Sequence, residues 1–151
     1  MGELAKIIRT HKKIALDTNC FIYYLEAAPA ATILREDLFS PLEQGKFQAV
    51  TSTLTLAEIL VKPKSLGRED ICMEYVMLLS SYPNLAIVPF TSPIAVRCAE
   101  IRAEYRVRTP DAIQLATAIE SQATIFLTND LNLPKQIGQL TILFLKDYLQ
   151  L

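Results

Sequence analysis

The stretch "KIALDTNCFIYYLEAAP", residues 13–29, decides the reading of the fold. Ile14, Ala15 and Leu16 are apolar without alternation, the pattern of a short strand buried on both faces. Phe21, Ile22, Tyr23, Tyr24 and Leu25 follow at once as a largely buried helix, which Pro29 stops. Asp17 stands at the junction, at the carboxyl end of the strand.

The same alternation continues on either side. Leu4, Ile7 and Ile8 have helical spacing and predict a helix within an N-terminal extension, residues 1–12, ahead of a first strand at 13–17. A helix is expected over 31–44, ended by Gly45, with Pro41 a candidate break. Residues 47–52 read as a strand and 53–61 as a helix closed by Pro63. A helix over 68–81, a strand over 85–90 and a helix over 92–106 come next. Thr109 as N-cap, with Pro110 at the first helical position, opens a helix to about 121. The strands 123–128 and 140–145 complete the set. Short apolar strands separated by helices predict an α/β fold, with a mostly parallel sheet of about five strands covered on both faces. No linker or repeat interrupts the pattern, so residues 1–151 are read as one domain. In such sheets ligands bind outside the carboxyl ends of the strands, where the strand order switches.

Composition narrows the chemistry. With 51% hydrophobic residues the chain has enough apolar side chains for a substantial core. No apolar run approaches the roughly 20 residues that a bilayer span needs, and the N-terminus has no secretory pattern, so the chain is expected in the cytoplasm. Cys20, Cys72 and Cys98 are too widely spaced for a zinc knuckle and odd in number for a disulfide framework. His11 is the one histidine, which argues against His-rich metal sites and a Ser-His-Asp triad. Carboxylates, hydroxyls or a bound metal remain.

Four acids stand where burial should exclude them. Asp17 ends the first strand; Glu58 is the one charge in "STLTLAEILV" (52–61); Asp111 sits in the first turn of "TPDAIQLATAI" (109–119); Asp130 follows "TIFLTN" (124–129). Each has an ordinary explanation, such as capping for Asp111 or a turn for Asp130. Together they would repel at one rim of the sheet, because an unpaired carboxylate near a buried surface costs several kcal/mol or gives up its charge. A hard divalent cation takes oxygen ligands and would settle that charge. A carboxylate-held metal activates water and stabilises a phosphoryl group, without histidine or a covalent intermediate.

At this point the chain resembles PIN-domain ribonucleases, particularly the toxin subunit of VapBC-type toxin–antitoxin pairs. The resemblance is carried in order by "ALDTNCFIYYLE", "STLTLAEIL", "TPDAIQLATAI" and "TIFLTND" and extends over residues 14–130. It implies a three-layer α/β/α fold and a metal-dependent endoribonuclease using one or two Mg²⁺ or Mn²⁺ ions. Carried over position by position, Asp17, Glu58, Asp111 and Asp130 match the acidic catalytic and metal site. Thr18, Asn19, Thr128 and Asn129 match its polar neighbours, which would orient carboxylates or water. Asn132 departs from the pattern, since many relatives have a further acid there, and the N-terminal helix precedes the usual first strand. The resemblance also implies a homodimer and a cognate antitoxin that plugs the active site.

The formal net charge is −1, and setting the four acids aside leaves the rest of the chain at +3. Lys62, Lys64, Arg68, Arg106 and Arg108 are therefore candidates for RNA phosphate contacts. Arg97 and Arg102 read better as a solvated helix face paired with the interleaved Glu100 and Glu104. Tyr23, Tyr24, Leu25 and segment 71–79 are candidates for a dimer face or a groove for a partner helix, beside their role in the core. Three rivals stand against this reading. A haloacid-dehalogenase-like phosphatase would need an acid where Asn19 stands, and a receiver domain would need paired acids before Asp17. A non-catalytic PIN-like module that binds RNA or scaffolds a complex would not need all four carboxylates.

Overall fold

The structure is a computed structural model that describes residues 2–149; Met1, Gln150 and Leu151, the ends of the expected 1–151 unit, lie outside the described residues. Helix α1 (Glu3–Ile8) leads into β1 (Lys13–Leu16) and α2 (Thr18–Leu25). A run of α3 (Ala31–Leu34), a π-helical segment (Arg35–Phe39) and α4 (Ser40–Glu43) follows. Next come β2 (Gln48–Ser52), α5 (Thr53–Ser65), α6 (Glu69–Ser81) and β3 (Leu85–Val88). The chain continues through α7 (Ser92–Tyr105), α8 (Thr109–Glu120) and β4 (Ile125–Thr128) to β5 (Gln136–Ile137) and β6 (Leu140–Phe144).

The strands form one sheet in the order β3-β2-β1-β4-β6-β5. Five pair in parallel and place their carboxyl ends at one rim; β5 adds an antiparallel edge. From β1 the chain steps outward through β2 to β3, then returns to the other side of β1 as β4. The order therefore switches between β1 and β4, and the crevice beyond their carboxyl ends is where such a sheet receives a ligand.

Alternation along each strand builds two apolar layers. Ile14 and Leu16 of β1, with Ile125 and Leu127 of β4, face a core made with α1, α2, α3, the π-helical segment and α4, to which α5 and α6 add. Ala15, Val50 and Phe126 face a second core made with α7 and α8. The three layers and mostly parallel sheet agree with the sequence reading. All five expected strands are present, and a sixth, β5, is two residues long and pairs only with β6.

Four local expectations are corrected. Pro63 does not close α5, which runs on to Ser65 with the proline ring buried inside it. Packing of that ring offsets the missing backbone donor. Pro41 breaks nothing: it lies in the first turn of α4, where its absent N–H is tolerated. Arg108, in extended conformation, is the N-cap of α8, so Thr109 is its first residue. The segment 31–44 is not one uniform α-helix, since its middle five residues are π-helical. Gly45 does end this run, at a φ of +74° that suits glycine. Helix α1 is docked rather than appended, with Leu4 and Ile8 fully buried in the first core.

Candidate functional site

Each site acid is placed by a short local rule. Asp17 follows the last residue of β1 and N-caps α2: its Oδ1 accepts from the Thr18 backbone N–H at 2.8 Å. Its Oδ2 accepts from the Thr128 hydroxyl at 2.6 Å, which bridges β1 to the neighbouring β4. Thr128 Oγ1 in turn accepts from the Asp130 backbone N–H at 3.0 Å, and Asp130 Oδ1 accepts from the Asn132 N–H at 3.0 Å. Two strands and the turn after β4 are thus tied together at the switch point.

Glu58 lies in α5, whose N-cap Ser52 accepts from the Leu54 N–H at 3.1 Å immediately after β2. Its carboxylate accepts from the Thr18 hydroxyl at 2.6 Å. The residue is exposed, so its cost is not the burial its apolar helix suggested. Asp111 occupies the first turn of α8 and pairs with Arg108, Nε to Oδ2 at 3.2 Å. Asp111 and Asp130 line the same cleft.

The electrostatics join the four. Burial pushes the Asp17 carboxyl up to about 6, and the charges of Asp111 and Glu58 add to the shift. The hydrogen bonds from Thr128 and Thr18 oppose it. Burial also raises Asp111, with the charge of Asp130 reinforcing it and the exposed Arg108 partly offsetting it. Among the described residues no group of three or more acidic, His or Cys side chains already stands in an ion-holding arrangement. The rim is a set of coupled carboxylates rather than a finished cage. Its donors are all hard oxygens with excess negative charge, which fits a divalent cation of the Mg²⁺ or Mn²⁺ kind.

The remaining expected residues divide. Thr18 and Thr128 hold site carboxylates directly. Asn129 instead donates from Nδ2 to the Tyr23 hydroxyl at 2.8 Å, tying the turn after β4 to α2, and Asn19 makes no side-chain hydrogen bond among the described residues. Arg106 and Arg108 line an open polar cleft of about 460 Å³ together with Asp111 and Asp130. Lys62, Lys64 and Arg68 lie further along α5 and the turn beyond it, paired with Glu26, Glu69 and Asp70. Arg97 bridges Glu100 and Glu120, as its helix-face reading expects. All three cysteines are buried free thiols. His11 bonds Thr124 at the amino end of β4, the opposite end of the sheet from the acids.

Sequence reading missed Thr51, Thr55 and Gln114, which are buried and join Thr18 in one hydrogen-bonded cluster behind Glu58. A buried glutamine in an otherwise apolar helix face was the available signal.

A strand-one aspartate at the switch point, facing Glu58 and Asp111, with Asp111 in turn facing Asp130, makes an acidic rim. The family model for the PIN domain matches residues 14–137, and the chain belongs to that family, whose members are generally nucleases. The match spans all four motifs that carried the resemblance. Among solved structures, a toxin–antitoxin complex from Klebsiella pneumoniae is similar at 25% identity and a TM-score of 0.65, covering 85% of this chain and 95% of that one. DNA-bound VapBC from Salmonella typhimurium is similar at 25% identity and TM-score 0.65, covering 87% and 97%. VapBC2 from Rickettsia felis bound to a promoter DNA fragment shares the fold at 19% identity and TM-score 0.68, covering 87% and 98%. No functionally curated protein matches the chain.

Proposed function

We propose that this protein is a metal-dependent endoribonuclease that hydrolyses RNA phosphodiester bonds, and the toxin of a toxin–antitoxin pair. The observation that carries the proposal is the meeting of four acids at the carboxyl rim between β1 and β4: Asp17 bound to Thr128, Glu58 bound to the adjacent Thr18, and Asp111 and Asp130 lining one cleft. Asp17, Glu58, Asp111 and Asp130 would hold one or two Mg²⁺ or Mn²⁺ ions. A bound cation of this kind supplies a water of lowered pKa and charge stabilisation for a phosphate oxygen.

The chain's own residues prepare that chemistry. Thr18 N–H and the Thr128 hydroxyl fix the plane of the Asp17 carboxylate while leaving each oxygen a second lone pair. The Thr18 hydroxyl fixes one oxygen of Glu58 and leaves the other open to a ligand. Arg106 and Arg108 flank the acids in the polar cleft and would take the phosphates on either side of the scissile bond. Lys62, Lys64 and Arg68 would extend that contact by exchanging their exposed acidic partners for phosphate, a low-cost exchange for surface pairs.

The likeness to toxin–antitoxin complexes supports an antitoxin partner. The apolar groove lined by Ile22, Leu25, Ile59, Leu66, Ile71 and Tyr75 would receive it. Met73 and Met77 are exposed on α6 and would serve the same partner or a homodimer. Tyr24 is half-buried, its ring packed 4.4 Å from that of Phe39 and tilted by 36°. No described helix is long and apolar enough to cross a membrane.

The test is incubation of purified protein with total cellular RNA, with Mg²⁺ or Mn²⁺ and with EDTA, and sequencing of the new 5′ ends. Discrete ends that require metal and vanish in Asp17→Asn support the nuclease. Folded protein that binds RNA equally well before and after the substitution, and yields no new ends, identifies a non-catalytic binding module.

A further inference from the structure

We propose that Gln114 is a positioning residue of the acidic rim, a buried amide that braces the helices carrying Glu58 and Asp111. The inference rests on the reading of that rim as a metal site, and hydrogen-bond directions at the carboxyl end of β2 carry it.

Gln114, Thr55 and Thr51 are 3%, 0% and 1% exposed, so water does not complete their hydrogen bonds. Thr51 donates its one proton to the Leu16 carbonyl at 2.8 Å. At 2.7 Å from Thr51, Thr55 must therefore be the donor of that pair. Gln114 cannot be flipped: its Oε1 accepts from the Ser52 backbone N–H at 3.3 Å, so its Nε2 faces Thr55 and donates at 2.9 Å. Thr55 is left with its proton spent and one lone pair filled. Thr18 Oγ1 lies 3.2 Å from Thr55 and 2.6 Å from Glu58, and its single proton goes to the shorter, charge-assisted bond.

Without the amide, buried Thr55 loses a donor and the Ser52 N–H loses its side-chain acceptor, so this tie between α5 and α8 is lost behind Glu58. Gln114 is one turn beyond Asp111 in α8, and it reaches both the residue before α5 and the first turn of α5. It thereby sets the spacing of two acids that come from different helices.

Calorimetric titration with Mn²⁺ alone, together with NMR of the Thr18 hydroxyl proton in metal-free protein, tests the proposal. Gln114→Met is expected to weaken Mn²⁺ about tenfold, the lower end of losses seen when partners of metal ligands are removed. Thr55→Val should do the same from the other side of the link, and the double variant should be no weaker than either single one. Thr55→Ser, which keeps the hydroxyl, should restore parental affinity. The Thr18 hydroxyl resonance should shift or exchange faster in Gln114→Met and Thr55→Val. Parental Mn²⁺ affinity in Gln114→Met, or additive losses in the double variant, would overturn the positioning role while leaving the nuclease reading intact. A parent that binds no Mn²⁺, but whose hydroxyl resonance still depends on Gln114, would sink the metal site and uphold the brace.

Discussion

Asp17 holds its place at an energetic cost in the metal-free protein. Its carboxyl stands at about 6 against an ordinary 3.8, because burial penalises the charged form and two neighbouring acids add to the penalty. The folded state therefore keeps a proton through a pH window in which the unfolded state has released it. By linkage, the stability from this group is fully present below about pH 4 and is lost as pH rises through about 6. The span of that loss is about 3 kcal/mol at 1.36 kcal/mol per unit. Urea denaturation of metal-free protein between pH 4 and 7 should show this decline. Asp17→Asn should flatten it, and Mg²⁺ should restore stability at pH 7 more than at pH 5. The same substitution should abolish metal-dependent cleavage of RNA, so a gain in metal-free stability would accompany a loss of activity.

At the scale of elements, the ends of helices carry the site and also carry strain. Arg106 terminates α7 in the left-handed region, at φ 57° and ψ 32°, a conformation that costs a residue with a Cβ about 1 kcal/mol or more. Arg106→Gly should raise stability by about 0.5–1 kcal/mol, read by chemical denaturation, the usual span for backbone changes of this kind. It should also weaken RNA binding if the guanidinium takes a phosphate, so stability and affinity should move in opposite directions. Ser52 is the counterpart at a helix start. Ser52→Ala removes the cap of α5 and should cost about 1 kcal/mol, measured by the same denaturation.

Over the whole molecule, the two cores on either face of the sheet make the rim rigid, and α1 is part of one of them. Leu4 is fully buried beside the π-helical segment, and Asp37 of that segment accepts from the Ala5 N–H near the start of α1. Leu4→Ala should cost about 2–5 kcal/mol by thermal or chemical denaturation, the range for truncating a buried leucine. A helix that only waited for a partner would show almost no loss. Net charge acts at this scale too, since on the proposed function the basic residues that flank the cleft would hold an anion beside a rim of acids. Affinity for RNA should therefore fall steeply with added salt and rise with divalent cation, measured by filter binding at fixed pH.

Much of this protein is determined locally. The apolar run 14–16, the aspartate behind it and the capping residues of α5 specify their elements through neighbours a few positions away, so strand order aside, the layers and the four acids were legible in the sequence. Pro63 was misread because its buried ring packs inside α5, the N-cap of α8 because a helix start is set by backbone conformation and shifts by a residue, and β5 because two residues carry no period. Tertiary structure alone decided what depends on distant pairs. It put β1 beside β4 rather than leaving the switch point unspecified, turned Asn129 toward Tyr23, and aligned Thr51, Thr55 and Gln114 behind Glu58. Those contacts join residues up to 111 positions apart, and a hydrogen bond acts only over about 3 Å. Local sequence specifies which groups a helix or strand presents; only the packed sheet specifies which of them meet.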